Sequence, residues 1–295
     1  CCHHGKTPPC TDAITAATIG RVVVAQRDPF PQVDGGGIRR LRDAGVRVDL
    51  GLLEEQARSL NAPYQKLTRI GRPWVIAKWA MTLDGKLATR TGHSQWISSA
   101  GSRQIVHKLR GRVDAIIVGS QTAHADDPLL TARPPGPRTP VRVVVDAAAS
   151  LSPTSQLART SYDTPVIVAI ADSADPRRCD RLRQVGCDLL VCRGDNHLER
   201  LRDLLTQLGA RDFTNVLVEG GGRLIGNLLK LGQIDEVHAF IAPKLVGGSA
   251  AISPIEGLGF DTMDQAVIID QPKTQIIGED VYISGNVLRD EVSEA

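Results

Sequence analysis

The sequence predicts an α/β chain in two unequal parts, and three observations carry that expectation. Short β-branched runs alternate with amphipathic stretches of helical period; Gly71-Arg72-Pro73 interrupts the rhythm with a breaker; and the last strand-like runs follow one another without a long helix between them. At roughly 100 to 200 residues per domain, a chain of 295 residues has room for two. The expected parts are 1–70 and 71–295.

In the first part, Thr11-Asp12 is read as the cap of a helix through Ala17. Arg21-Val22-Val23-Val24-Ala25 follows as a short buried strand, then the loop Asp28-Pro29-Phe30-Pro31. Gly35-Gly36-Gly37 precedes a helix whose apolar face is Ile38, Leu41 and Ala44, and Val46, Val48 and Leu50 alternate as a further strand. A helix from Leu53 to Leu67 leads out. Two short strands do not close the core of such a sheet, so this part reads as one half of a βα pattern.

The second part reads as a full layer structure. Buried strands are expected at Trp74 to Met81, Val113 to Gly119, Val141 to Val145, Val166 to Ala171, Leu189 to Val191, Val216 to Val218, Val237 to Ile241 and Asp280 to Ser284. The clearest helical pattern between them is Leu198, Leu201, Leu204, Leu205 and Leu208. This rhythm predicts a mostly parallel sheet covered on both faces, with antiparallel strands at one edge. Val237 to Ile241 would be an apolar edge open to self-association if nothing covers it.

Composition excludes several classes of partner. A net charge of +2 gives no electrostatic case for nucleic acid. The basic stretch Arg103 to Arg112 is broken by Ile105, Val106 and Leu109 at helical spacing, which makes it the solvated face of an amphipathic helix. No apolar run approaches the ~18 to 20 residues that span a bilayer. Six cysteines without a secretory signal suit a reducing compartment, so the expectation is a soluble, cytoplasmic protein.

Three segments carry chemistry. Cys1-Cys2-His3-His4-Gly5-Lys6-Thr7-Pro8-Pro9-Cys10 has the residue types of a zinc site, with Cys1 and Cys10 as two thiolate ligands and Thr-Pro-Pro as a rigid approach to the second. Disulfides and ligation by His3 or His4 are the competing readings. Val216-Leu217-Val218-Glu219-Gly220-Gly221-Gly222 places three glycines between a strand and a helix, where backbone N–H groups and the helix dipole can meet a phosphate; a plain tight connection is the alternative. Glu219, at the carboxyl end of a buried strand, stands where open α/β sheets bind ligands. Leu83-Asp84-Gly85-Lys86 with Ser94 to Ser98, and Ala125 to Arg133, add polar clusters after the first two strands of this part. Asp84-Gly85 and Asp127-Pro128 are turn formers, and Asp126 with Arg133 could be a surface ion pair; together with Ser94 and Arg110 they would suit a phosphorylated polyol.

These segments, in this order, resemble one family across essentially the whole chain. Cys1 to Cys10 resembles the P-C-x-H-x-G-[RK]-T-P-P-C segment of the bifunctional riboflavin-biosynthesis deaminase/reductase, with Cys2 where serine is common. Lys78 to Gly85, Ser94-Gln95-Trp96, Ala125 to Arg133 and Glu219 to Gly222 resemble its reductase signatures. The resemblance implies the C-terminal part of a cytidine-deaminase-like α/β/α domain, followed by a dihydrofolate-reductase-like α/β domain. It implies zinc in the first and NADPH in the second. The implied substrate is a phosphorylated ribosylaminopyrimidine, deaminated to an aminouracil and then reduced from ribosyl to ribityl.

Carried onto this sequence, the resemblance makes Cys1 and Cys10 two of three zinc ligands, with the histidine ligand and catalytic glutamate of an H-A-E motif expected upstream of residue 1 and deamination therefore not expected of this chain. Ser94, Arg110, Leu130, Arg133 and Glu219 become substrate contacts, the arginines being suited to the 5′-phosphate. Ala80, Trp96, Thr122, Asp126 and the run Gly221, Gly222, Arg223, Leu224, Ile225, Gly226 and Asn227 become NADPH contacts. Asp126 and Glu219 are taken as the catalytic groups. Two other readings stand beside this one: a reductase acting on a pterin or another pyrimidine, and a zinc-binding structural module joined to an inactive α/β domain.

Overall fold

The computed structural model describes residues 2–5, 7–30 and 33–288, and residues 1–72 and 73–295 form two separate compact units. In the first, α1 (Cys10–Ala16) starts directly after Pro9, with no side chain capping it. Thr11 and Asp12, expected as the cap, lie inside its first turn, because proline already supplies a fixed φ and removes one N–H from the helix entrance. β1 (Arg21–Val24), α2 (Gly36–Asp43), β2 (Arg47–Leu50) and α3 (Glu54–Ile70) follow. The two strands pair in parallel. Val22 and Val24 pack towards Leu41, Val46 and Val48, whereas Arg21 and Val23 are exposed, so β1 is covered on one face and is not the buried strand its valines suggest.

The second unit contains β3 (Trp74–Thr82), α4 (Ala100–Arg110), β4 (Ala115–Gly119), α5 (Ser120–Asp126), β5 (Val141–Val145), α6 (Gln156–Arg159), β6 (Val166–Ile170), α7 (Pro176–Gln184), β7 (Asp188–Val191), α8 (His197–Ala210), β8 (Asn215–Glu219), α9 (Gly222–Lys230), β9 (Glu236–Ala242), β10 (Ile269–Ile277) and β11 (Asp280–Val287). Among the described residues these strands form one sheet of order β10-β11-β9-β3-β8-β4-β5-β6-β7. The run from β9 to β7 is parallel, and β11 is antiparallel to both β9 and β10.

Alternation along each strand serves two cores. Ile117 and Val218 pack with Leu201, Leu204, Leu205, Leu208 and Leu228 from α8 and α9, while Ile116 and Val118 pack with Leu109, Leu157 and Leu182 from α4, α6 and α7. Covering on both faces explains the near-continuous apolar strands. Two edge expectations change. Val237 to Ile241 is interior, enclosed by β3 and β11. The edge belongs to β10, which the sequence conceals behind Asp270-Gln271-Pro272-Lys273: an exposed edge strand needs no apolar alternation and tolerates proline at its irregular register between Asp270 and Lys273. Among the described residues no helix is long and apolar enough to cross a membrane.

The topology prepares a ligand position. β8 inserts between β3 and β4, so the carboxyl ends of these three strands diverge into connections on different sides of the sheet. α4 bridges that point, and its first turn is tied to the antiparallel edge: Ser99 N–H and Ser102 hydroxyl donate to buried Asp280 at 2.7 and 2.5 Å. Asp280→Ala leaves both donors without an acceptor and is expected to destabilise the second unit by about 1 to 3 kcal/mol. Because Trp74, Trp79 and Trp96 all lie in that unit, urea unfolding followed by tryptophan fluorescence measures the change.

Candidate active site

A cleft of about 720 Å³ opens at the carboxyl ends of β3 and β8, walled by α4, the segment after α5 and the glycine turn before α9. That volume falls in the usual range for small-molecule sites. Its floor is ionic. Glu219 ends β8 with only 8% of its surface exposed, and Arg110 from α4 grips it as a fork, Nε to Oε1 at 2.5 Å and Nη2 to Oε2 at 3.0 Å. Lys78, paired in register with Glu219 across β3 and β8, brings Nζ to 3.5 Å of the same carboxylate.

Burial alone would raise the Glu219 pKa, but the charges and hydrogen bonds of Arg110 and Lys78 outweigh it and hold the carboxyl down at about 2. Desolvation lowers the pKa of Lys78, only partly offset by Glu219. Lys78 is the functional-site residue that sequence reasoning used only as a motif boundary. A lysine in the middle of a buried apolar strand was the signal that could have found it.

The remaining donor edge of Arg110, Nη1, reaches the Thr131 carbonyl at 3.2 Å. Arg110 is thus an internal clamp, whereas Arg133 is exposed at the cleft and has no ion pair among the described residues. The ion pair considered for Asp126 with Arg133 does not form. His107, one turn before Arg110 on α4, has Nδ1 3.2 Å from both Arg133 N–H, from which it can accept, and the Thr131 carbonyl, to which it can donate when protonated there. Burial first, then the charges of Arg110 and Arg133, lower the His107 pKa against the Thr131 hydrogen bond, which raises it. Asp126, the last residue of α5, is exposed at the cleft rim, yet the surrounding protein desolvates its carboxyl enough to raise its pKa.

Ser94, Ala80, Thr122 and Leu130 also line the cleft. Trp96 is 63% exposed, with the Arg103 guanidinium 4.5 Å above its ring and Lys244 Nζ holding the Trp96 and Ile97 carbonyls. Asp84 accepts from Thr82 Oγ1, Val246 N–H and Gly247 N–H, which places it in a loop brace in keeping with the turn reading.

Of the run expected to touch a cofactor, Gly221, Gly222 and Arg223 line the cleft. Leu224 and Ile225 turn into the core beneath α9, and Ile225 N–H is taken by the Gly221 carbonyl. Gly226 packs against Glu256, where an added Cβ would lie 1.6 Å from the Glu256 carbonyl oxygen, and neither it nor Asn227 is part of the cleft wall. Of this run the first three residues line the cleft and Leu224 and Ile225 join the core.

The zinc expectation finds no comparable constellation. Cys1 lies outside the described residues, and Cys10 is exposed at the start of α1. Among the described residues no group of three or more His, Cys, Asp or Glu side chains could hold a metal ion. A catalytic zinc takes three protein ligands, so the described donor set does not fit one.

Comparison with known proteins gives this geometry a family. Residues 73–283 match the family model described as RibD C-terminal domain. The riboflavin biosynthesis protein RibD of Actinobacillus pleuropneumoniae is 41% identical over 283 residues, spanning 96% of this chain and 75% of that protein. Among solved structures, Acinetobacter baumannii RibD superposes with a TM-score of 0.84 at 30% identity, covering 98% of this chain and 79% of the other. A Thermotoga maritima diaminohydroxyphosphoribosylaminopyrimidine deaminase/5-amino-6-(5-phosphoribosylamino)uracil reductase does so at 0.79, also 30% identical, over 98% and 77%.

The ionic floor makes a pH prediction. Glu219 has a depressed folded-state pKa, so its stabilising contribution is complete above its ordinary value of 4.5 and is lost as pH falls towards about 2. In Glu219→Gln the corresponding part of the acid dependence should vanish. Comparing the unfolding free energy of both proteins from pH 5 to pH 2 is expected to show a wild-type excess loss on the order of 3 kcal/mol.

Proposed function

Because the chain belongs to the RibD C-terminal domain family, we propose that its second unit is the reductase of riboflavin biosynthesis, converting the ribosyl chain of 5-amino-6-(5-phosphoribosylamino)uracil to ribityl with NADPH. The observation that carries this reading is the meeting, in one cleft, of Glu219, Arg110 and Lys78 with the turn Gly220 to Gly222, all inside the family match.

The turn fits a cofactor phosphate. Gly220 and Gly221 have φ of 104° and 85°, conformations that favour glycine, and they bring the backbone to the start of a nine-residue helix whose first-turn N–H groups lack intrahelical acceptors. Trp96, Ala80, Thr122 and Arg223 offer the remaining wall for the dinucleotide. When bound, NADPH supplies the hydride and the protein supplies position and a proton.

The substrate end is set by the other side of the cleft. Arg133 is an exposed cation that can take the 5′-phosphate in a wall that also includes Ser94 and Leu130, while Glu219 is a fixed anion that can accept from substrate hydroxyl or amino groups. Opening the ribosylamine expels the ring oxygen from the anomeric carbon as the nitrogen, keeping its hydrogen, forms the iminium, and that oxygen must gain a proton. Asp126, with its pKa raised by desolvation, is suited to give it. The iminium carbon then takes the hydride, which leaves a neutral secondary amine.

For residues 1–72 the coarse assignment is an α/β unit that aligns with the RibD relatives. The proposal extends to its being the counterpart of part of a deaminase domain, supported by the Thermotoga maritima protein, which carries both activities in its description. No zinc-dependent step is assigned, since the described residues do not fit the metal.

Oxidation of NADPH at 340 nm on adding 5-amino-6-(5-phosphoribosylamino)uracil, with none on adding dihydrofolate, is the expected assay result; the reverse preference would overturn the assignment. Arg133→Ala should raise KM for the phosphorylated substrate by roughly 10- to 100-fold, as expected for a lost charged contact, with the KM for NADPH unchanged. An unchanged substrate KM removes Arg133 from the phosphate site.

A further inference from the structure

The segment from Asp127 to Arg133 forms the substrate end of the cleft and is held in a conformation its own residues do not favour. Asp127 and Leu130 have φ of 36° and 53°, in the left-handed region disfavoured for side chains other than glycine. Something outside the segment must hold it there. On the α4 side, Arg110 takes the Thr131 carbonyl and His107 takes Arg133 N–H.

On the opposite side stand two residues given no role above, Arg142 and Gln156, the second of which also lines the cleft. Arg142, the second residue of β5, is fully buried and forms no direct ion pair among the described residues, the Asp163 carboxylate acting on it only through space. Its guanidinium donates to main-chain carbonyls and one hydroxyl: Nη1 to Leu129 O at 3.3 Å and to Thr160 Oγ1 at 2.7 Å, and Nη2 to Thr160 O at 2.9 Å and to Thr164 O. A buried cation is costly, and carbonyl dipoles from two separate segments offset it only while both stay in place. Gln156, at the first turn of α6, completes the junction. Its backbone N–H donates to Asp127 Oδ1 at 2.8 Å, and its side-chain Nε2 donates to Asp127 O at 2.5 Å.

We propose that Arg142 and Gln156 are positioning residues that brace the segment 127–131 from the α6 side, fixing the shape in which Leu130 and Arg133 meet the substrate. The link to substrate rests on the reductase reading; the brace itself does not. Arg142 joins Leu129 to the end of α6, Gln156 joins Asp127 to its beginning, and the two together lock the loop to that short helix at both ends. Arg142 is not part of the cleft wall, so its effect has to pass through the loop, whereas Gln156 also lines the cleft and a KM change in its variant counts for the brace only together with faster exchange.

The test uses the full chain carrying Gln156→Ala, Arg142→Met or Arg142→Lys. Gln156 is exposed, so its variant keeps the protein folded if Arg142→Met does not. Hydrogen exchange without ligand should show faster exchange in peptides covering 126–133 for Gln156→Ala and Arg142→Met. In the reductase assay KM for the pyrimidine substrate should rise about tenfold or more, as small misplacement of a binding loop allows, while the NADPH dissociation constant changes less than twofold. Arg142→Lys, which keeps the charge and some of the donors, should fall between wild type and Arg142→Met. Combining Gln156→Ala with Arg133→Ala should add little to the KM of Arg133→Ala alone. Unchanged exchange in the folded variants overturns the brace, as does faster exchange with unchanged KM. If the wild-type protein does not turn over the substrate, the functional reading falls and the exchange result alone decides the brace.

Discussion

The architecture of the second unit depends on one buried ionic contact, Glu219 between Arg110 and Lys78. Its three members come from β8, α4 and β3, so it can exist only where β8 is inserted beside β3 and α4 crosses that junction. Burying charges there is unfavourable unless each is paired and hydrogen-bonded. The bidentate fork meets that demand for Glu219 and Arg110, while for Lys78 desolvation outweighs the attraction of Glu219 and moves its pKa down. Two cations against one anion give the floor of the cleft a positive excess, which suits a phosphorylated ligand approached through an exposed Arg133.

That contact also divides labour between two arginines that the sequence presents as equivalents. Arg110 has Nε, Nη1 and Nη2 engaged by Glu219 and Thr131, so moving it to a ligand would strip a buried carboxylate of its partner. Arg133 carries no such obligation. The distinction is one of burial and partner geometry, and neither follows from spacing along the chain.

What the sequence made legible follows the same division between local and non-local causes. The parallel strands were readable because β-branched residues buried on both faces leave nearly unbroken apolar runs, as in Ala115-Ile116-Ile117-Val118. The turn Gly220 to Gly222 was readable because a strand, three glycines and a helix are adjacent in sequence. β10 was missed because its pattern is that of an exposed edge, and β1 was taken as buried because its valines do not reveal that only one face is covered. Lys78 and Arg142 were both absorbed into apolar strand patterns, since what identifies each is a partner far along the chain: Glu219 for the first, Leu129 and Thr160 for the second. Most of the residues that the resemblance singled out line one cleft, but Leu224 and Ile225 serve the core.

The two carboxyls proposed as catalytic are separated by environment alone. Glu219 is the more deeply buried and would be the harder to ionise by desolvation, yet two adjacent cations hold it as an anion. Asp126 is the more exposed and has no cation to offset its partial desolvation, so its pKa moves upward. A group that stays charged through the physiological range cannot lend a proton, but it can orient hydroxyl and amino donors of a substrate without itself changing state. A carboxyl displaced towards neutrality can exchange a proton with a leaving ring oxygen, and its place at the rim of the cleft lets solvent restore that proton between turnovers. In the proposed reaction this pairing would give orientation to Glu219 and proton transfer to Asp126, and that order of roles would reverse only if Arg110 and Lys78 were moved from one carboxyl to the other.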